Sequence, residues 1–184
     1  MPEVIKINIA ELLTLCSDLG LAQTLRSRGG QHRNRQALDF QKDLATNTRG
    51  FQGEAAFKLW TDWQYIPPLK WLKLDGLGRE DFSNEHVCID VKATSQAHYS
   101  LMEYRAHIRP HWIYVLASTE ELPVVNIRGF CTGLELRMAP QRRYGGMVIG
   151  DLGVPHGLKP HELNQDFEEL LAHIRGERKL PESA

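Results

Sequence analysis

From Asp81 to Lys92 the chain reads Asp-Phe-Ser-Asn-Glu-His-Val-Cys-Ile-Asp-Val-Lys. Side chains alternate across a β-strand, so over 86–92 the apolar Val87, Ile89 and Val91 share one face, and Cys88, Asp90 and Lys92 share the other. A carboxylate and an ammonium two residues apart then stand side by side, which is costly to bury unless they are paired or metal-bound. With Ser83-Asn84-Glu85 as the turn and its centre between Glu85 and His86, Asp81 faces Asp90. Two facing carboxylates repel each other unless a cation lies between them. Hard oxygen ligands and an open site suit Mg²⁺, with Mn²⁺ as a substitute, rather than zinc. Such an ion lowers the pKa of a bound water and neutralises a phosphate. Lys92 would orient or deprotonate the attacking water, or stabilise charge developing at phosphorus. Glu54, next to Gly53 on a preceding helix, is a third acid that could complete the shell. Asp75, followed by Gly76, competes with Asp81 for the place opposite Asp90, and Asp81 fits the short hairpin better.

The chain has a second acid-x-Lys tripeptide, Glu177-Arg-Lys179, in a polar tail without an apolar strand, and it carries no site. Among eight histidines, His107 and His111 are separated by Pro110, and His156 and His161 flank Pro160. Neither pair is completed by an HExxH motif or paired cysteines, so zinc is not expected. Cys16, Cys88 and Cys131 form no CxxC pair and suggest neither a disulfide framework nor a cysteine metal site. A nucleophile elbow, a P-loop and a dinucleotide fingerprint are missing too, so no organic cofactor is expected.

The elements that must position these groups are legible in outline. Asn8 with Glu11 reads as an N-cap, followed by a helical stripe of Leu12, Leu13, Leu15, Cys16 and Leu19. Residues 29–35 read as a polar loop, 36–46 as a second helix broken by Gly50, and 51–64 as a third. After Pro67-Pro68, strands are expected at 69–74, 80–82, 86–94, 112–118 and 124–127, the last closed by Gly129. The Gly- and Pro-rich 139–160 reads as loop with a short strand at 147–149, and 161–174 as an amphipathic helix stopped by Gly176. Helices, then strands, then a closing helix predict an α/β sandwich around one mixed sheet. The expected division is an N-terminal helical extension over 1–48 packed on a core over 49–184.

The chain is long enough, at 184 residues, for one domain with a substantial core. Its longest apolar run, Trp112–Ala117, is far too short for a membrane span, and the N-terminus has no signal-peptide pattern. A reducing cytoplasm is therefore the expected compartment. A net charge of −1 gives no global attraction to polyanions. Over 22–49, however, six cationic residues (Arg26, Arg28, Arg33, Arg35, Lys42, Arg49) stand against Asp39 and Asp43. This stretch is either a solvated helical face or a phosphate contact. Gln52, Gln96, Arg105, Arg142 and Arg143 are further candidates for nucleic-acid contact, beside Arg33, Arg35 and Arg49. Trp60, Trp63, Trp71 and Trp112 suit a core better than base stacking.

Over roughly residues 50–130 the pattern resembles the PD-(D/E)xK nuclease superfamily, which includes restriction endonucleases and Holliday junction resolvases. The matching residues are Glu54 on the first core helix, Asp81 on one strand, Asp90-Val91-Lys92 on the next, and the strand that begins at Trp112. Glu80 rather than proline precedes Asp81, a departure from the motif. The resemblance implies a restriction-endonuclease-like sandwich with a central mixed β-sheet flanked by helices. It also implies Mg²⁺-dependent hydrolysis of DNA phosphodiesters, with a homodimer if both strands are cut. Glu54, Asp81, Asp90 and the Val91 carbonyl would be metal ligands, and Lys92 the catalytic lysine. The rival expectation is a catalytically inactive nuclease-fold subunit that binds nucleic acid or a protein partner; RNA in place of DNA is the third.

Overall fold

The structure, a computed structural model, describes residues 4–31, 37–61, 81–142 and 154–180. Its centre is the run Trp112-Ile-Tyr-Val-Leu-Ala, part of strand β5 (Trp112–Glu121), which is buried on both faces. Strand β6 (Val124–Thr132) folds back antiparallel on one side of β5, and β1 (Ile5–Asn8) adds antiparallel to β6 as an edge. On the other side, β3 (Cys88–Thr94) pairs parallel with β5, and the short β2 (Phe82–Ser83) closes that edge antiparallel to β3. The sheet is thus mixed, in the order β1-β6-β5-β3-β2. A separate ribbon pairs β4 (Leu101–Glu103) with β7 (His156–Leu158).

The alternation of β5 sorts the molecule into two cores. Ile113, Val115 and Ala117 join Val87, Ile89 and Val91 on one face, under helices α1 (Leu13–Gln31) and α2 (Ala37–Trp60). The same core takes Phe167, Leu170 and Ile174 of the C-terminal helix, and Phe57 packs edge-on against Trp60 at 5.7 Å. Trp112, Tyr114 and Leu116 face the other way, toward Leu101 of the ribbon and Leu136 of the short helix α3 (Gly133–Met138). A mixed sheet with helices packed on it is what the order of elements led us to expect.

Several details differ. Gly29 and Gly30, expected in a loop, continue α1, and Gly50 does not break α2, which runs unbroken from 37 to 60. An interior glycine costs a helix only about 1 kcal/mol, and the packing of α2 on α1 and on the sheet outweighs it. Gly53 shows why small residues recur here: a Cβ at this position would stand 2.8 Å from the Ala93 Cβ of β3. The segment before α1 is not purely helical, because β1 belongs to the main sheet. Asn8 does cap the following turn, its Oδ1 accepting from the Ala10 amide at 2.9 Å. The boundary expected after residue 48 falls inside α2.

Strand β6 does not stop at Gly129. The register steps from Leu116↔Gly129 to Ala117↔Ile127, leaving Arg128 as an extra, bulged residue. Gly129 sits at φ +148°, where a Cβ would meet the Asn164 carbonyl at 2.8 Å. The last helix, α4 (Phe167–Ile174), starts later than expected. Asn164 exchanges two backbone hydrogen bonds of 2.9 Å with Phe130, and Asp166 caps the helix by accepting from Glu169 N. Helix α3 was not anticipated, although Thr132 and Glu135 form a reciprocal capping box at its start. The strands expected at 69–74 and 147–149 lie outside the described residues.

Candidate active site

The hairpin register is the one the sequence predicts. Phe82 pairs with Ile89 and Ser83 with Cys88, which places the centre between Glu85 and His86. Asn84 makes the turn, its Oδ1 accepting from the amides of His86 and Val87 at 2.9 Å each. Beyond β2, Asp81 does not continue a regular ladder. Its amide donates to the Ile89 carbonyl at 3.1 Å, and its Oδ2 accepts from the Val91 amide at 2.6 Å. The Asp81 carboxylate therefore takes the place of a backbone carbonyl at the open edge of β3. Because the N–H and C=O of one strand residue face the same neighbour, the Val91 carbonyl points to this edge as well.

Asp90 and Lys92 project from β3 on the face away from α2, as alternation requires. Asp90 is only 7% exposed, and its Oδ2 lies 2.9 Å from Lys92 Nζ. Lys92 has a second partner that the sequence did not announce: Glu103 of β4, also at 2.9 Å. Glu103 in turn holds His107 at 3.4 Å and accepts from the Tyr104 amide at 2.8 Å. Asp90, Lys92, Glu103, His107 and Trp112 line one cavity of about 380 Å³. Glu103 was missed because nothing local marks Leu101–Glu103 as a strand; the pairing that places it, Glu103↔His156, spans more than fifty residues.

Glu54 reaches the site from the other side of the sheet. Close seating of Gly53 on Val91 and Ala93 brings this turn of α2 against β3. The Asp81 carboxyl is pushed well above the usual range, first by burial, then by the negative charges of Glu54 and Asp90. The Val91 amide and Lys92 oppose that shift and do not cancel it. Asp90 is also raised, by burial against the pull of Lys92. Lys92 goes the opposite way: Asp90 and Glu103 together overcome its burial and lift it above the ordinary lysine range. It is a fixed cation. Tyr114, paired with Asp90 across the parallel ladder, is pushed up to about 12, chiefly by burial.

Asp81 is the hinge of the arrangement, held by the Val91 amide and feeling the charges of both Glu54 and Asp90. Among the described residues, no three His, Cys, Asp or Glu side chains stand close enough to hold a metal as they are. The donors that do gather here are hard carboxylate oxygens with raised pKa values, and a divalent cation is the partner that would relieve their repulsion. By donor type, the residues suit Mg²⁺ or Mn²⁺.

The expected nucleic-acid contacts divide. Arg49 and Gln52 line a separate groove of about 430 Å³ with Gln41, Ser95 and Thr119. Arg105 is exposed, whereas Gln96 is half-buried, its carbonyl accepting from Thr94 Oγ1 at 3.1 Å. Arg142 is committed elsewhere: its guanidinium holds both Glu162 oxygens, at 2.8 and 2.9 Å, and the Gly157 carbonyl at 2.8 Å. The structure thus places Arg142, expected at nucleic acid, in a clasp between Glu162 and the Gly157 carbonyl. Arg33, Arg35, Arg143 and the competing Asp75 lie outside the described residues. No family model matches this chain, and neither a curated protein nor a solved structure does. No helix among the described residues is long and apolar enough to cross a membrane.

Proposed function

We propose that the protein is a metal-dependent nuclease that hydrolyses DNA phosphodiester bonds, built as a restriction-endonuclease-like sandwich. One observation carries the reading: Asp81, seated on the Val91 amide at the open edge of β3, and the buried Asp90 stand together beside a lysine held between two carboxylates. Asp81, Asp90 and the Val91 carbonyl would hold Mg²⁺ or Mn²⁺, with Glu54 as the ligand from α2. When bound, such an ion supplies charge neutralisation and a more acidic water. Lys92 acts by charge. A lysine pinned by two carboxylates and lifted in pKa is a poor general base and a good electrostatic partner for a pentacovalent phosphate. Glu103 and Asp90 fix its ammonium in place, so little reorganisation is needed as charge develops. Cutting both strands of a duplex would take a homodimer, with one such site for each strand.

Incubating supercoiled plasmid with Mg²⁺ or Mn²⁺ tests this. Conversion to nicked or linear forms is expected with the native protein and lost with Asp90→Ala or Lys92→Ala. Cleavage that survives either substitution removes the site assignment. A second reading, a subunit that keeps the fold without cleavage, draws on the double clamp that already occupies Lys92. Titration with Mn²⁺ by calorimetry separates the two, because an inactive subunit takes up no ion that depends on Asp81 and Asp90.

A further inference from the structure

A third cavity, of about 510 Å³, opens beyond the far end of the β4–β7 ribbon, lined by Ala97, His98, Arg128, Lys159, His161 and Gln165 with Pro160. Arg128 is the bulged residue of β6, and bulges characteristically re-aim a side chain out of its ladder. Gly129 at positive φ and the Asn164 carbonyl beside it hold that bulge in place. Gln165 braces the opposite wall, its amide reaching the Arg128 and Pro160 carbonyls at 3.3 Å each. Among the described residues neither Arg128 nor Lys159 is paired with a carboxylate, and the Arg128 Nε is buried without a partner. The lining contains no acid. Glu162, next along the chain, is shared between Arg142 and the Lys159 backbone amide, at 2.6 Å from the latter, and Glu120 is held on the Ala97 amide at 2.6 Å.

An uncommitted guanidinium, an ammonium and two imidazoles around one concavity suit a phosphate. The cavity is also in line with the carboxylate–lysine site. Glu103, which clamps Lys92, pairs with His156 at one end of the ribbon, and Leu101 pairs with Leu158 at the other, directly before Lys159. We propose that this cavity binds a backbone phosphate of the same nucleic-acid strand that meets Lys92. The inference rests on the nuclease reading for the identity of the strand, but not for the chemistry of the cavity.

The experiment is fluorescence anisotropy of a labelled DNA duplex in EDTA across a salt series, with Lys159→Gln, Arg128→Gln and Lys6→Gln compared with the native protein. Lys159 is exposed, so its substitution leaves the fold unburdened if the bulge tolerates no change at Arg128. Lys159→Gln is expected to weaken binding several-fold at low salt and to flatten the slope of log K against log salt by about 0.9, the loss of one phosphate contact. Lys6, outside the cavity lining and paired with Glu121 at 3.8 Å, should change neither. Unchanged affinity and slope in Lys159→Gln, an equal loss in Lys6→Gln, or no DNA binding by the native protein would each overturn the proposal. Because no metal is present, a flattened slope in a protein that fails to cut plasmid keeps this site and removes the nuclease reading. Plasmid cleavage with an unflattened slope does the reverse.

Discussion

Asp81 has a pH signature of its own. A carboxyl whose pKa is higher folded than unfolded binds its proton more tightly in the folded state. Its stabilising contribution is therefore present at low pH and is lost as pH rises from about 4, the unfolded value, through the raised folded one. In chelator, the melting temperature should fall over that window. Asp81→Asn, which keeps an acceptor for the Val91 amide, should melt higher than the native protein at neutral pH and should lose any stabilisation by Mn²⁺. A lower melting temperature for Asp81→Asn would mean that the carboxylate repulsion is not the dominant effect there. Lys92 gives the converse test. Lys92→Met leaves Asp90 and Glu103 facing each other without their cation. Breaking such a pair costs roughly 1–3 kcal/mol once the one-third exposure of Lys92 is allowed for. Urea unfolding should show that loss and a partial recovery in Lys92→Met/Glu103→Gln; strict additivity of the two substitutions would refute the coupling.

Helix α2 and the hairpin are what bring these groups together, and Gly53 is where they touch. Gly53→Ala puts a methyl 2.8 Å from the Ala93 Cβ, with the rigid β3 backbone behind it. Overpacking of this kind costs about 1–3 kcal/mol, and the helix must lift, carrying Glu54 away from Asp81. Denaturant unfolding should register the loss, and plasmid cleavage should fall by more than stability alone explains. Normal cleavage by a folded Gly53→Ala protein would show that Glu54 has no part in the site. The hairpin was legible from sequence because its information is local: alternation fixes the faces, and Ser83-Asn84-Glu85 fixes the register. Glu103 was illegible because β4 exists only through β7, far along the chain. The glycines misled for a related reason. Gly50 and Gly129 look like breaks when read locally, and tertiary contacts carry α2 and β6 through both. The capping box at Thr132 and Glu135 was available to a sequence reading and went unused, so α3 was missed.

The molecule as a whole is nearly neutral, at −1, so no broad field draws nucleic acid in. Under the proposed function, recognition would be assembled from local cavities on the ribbon side of one sheet. That sheet is held together by pairings of very different reach. β5 and β6 are joined by a tight connection at Leu122-Pro123, so their pairing is local. The parallel pairing of β3 with β5 must first close the whole stretch from Ser95 to His111, the same stretch that carries Glu103. Closing a loop before its contacts reward it is what slows folding. The order of assembly follows: the β5–β6 hairpin protects its amides early, and β3, with Asp90 and Lys92, docks later. Pulse-labelled hydrogen exchange during refolding should find the Tyr114 and Cys131 amides, which face each other across β5 and β6, protected before those of Asp90 and Lys92, which face β5 from β3; simultaneous protection would rule this sequence out. A nascent chain would then own a stable hydrophobic centre well before Asp90 and Lys92 came to lie beside it.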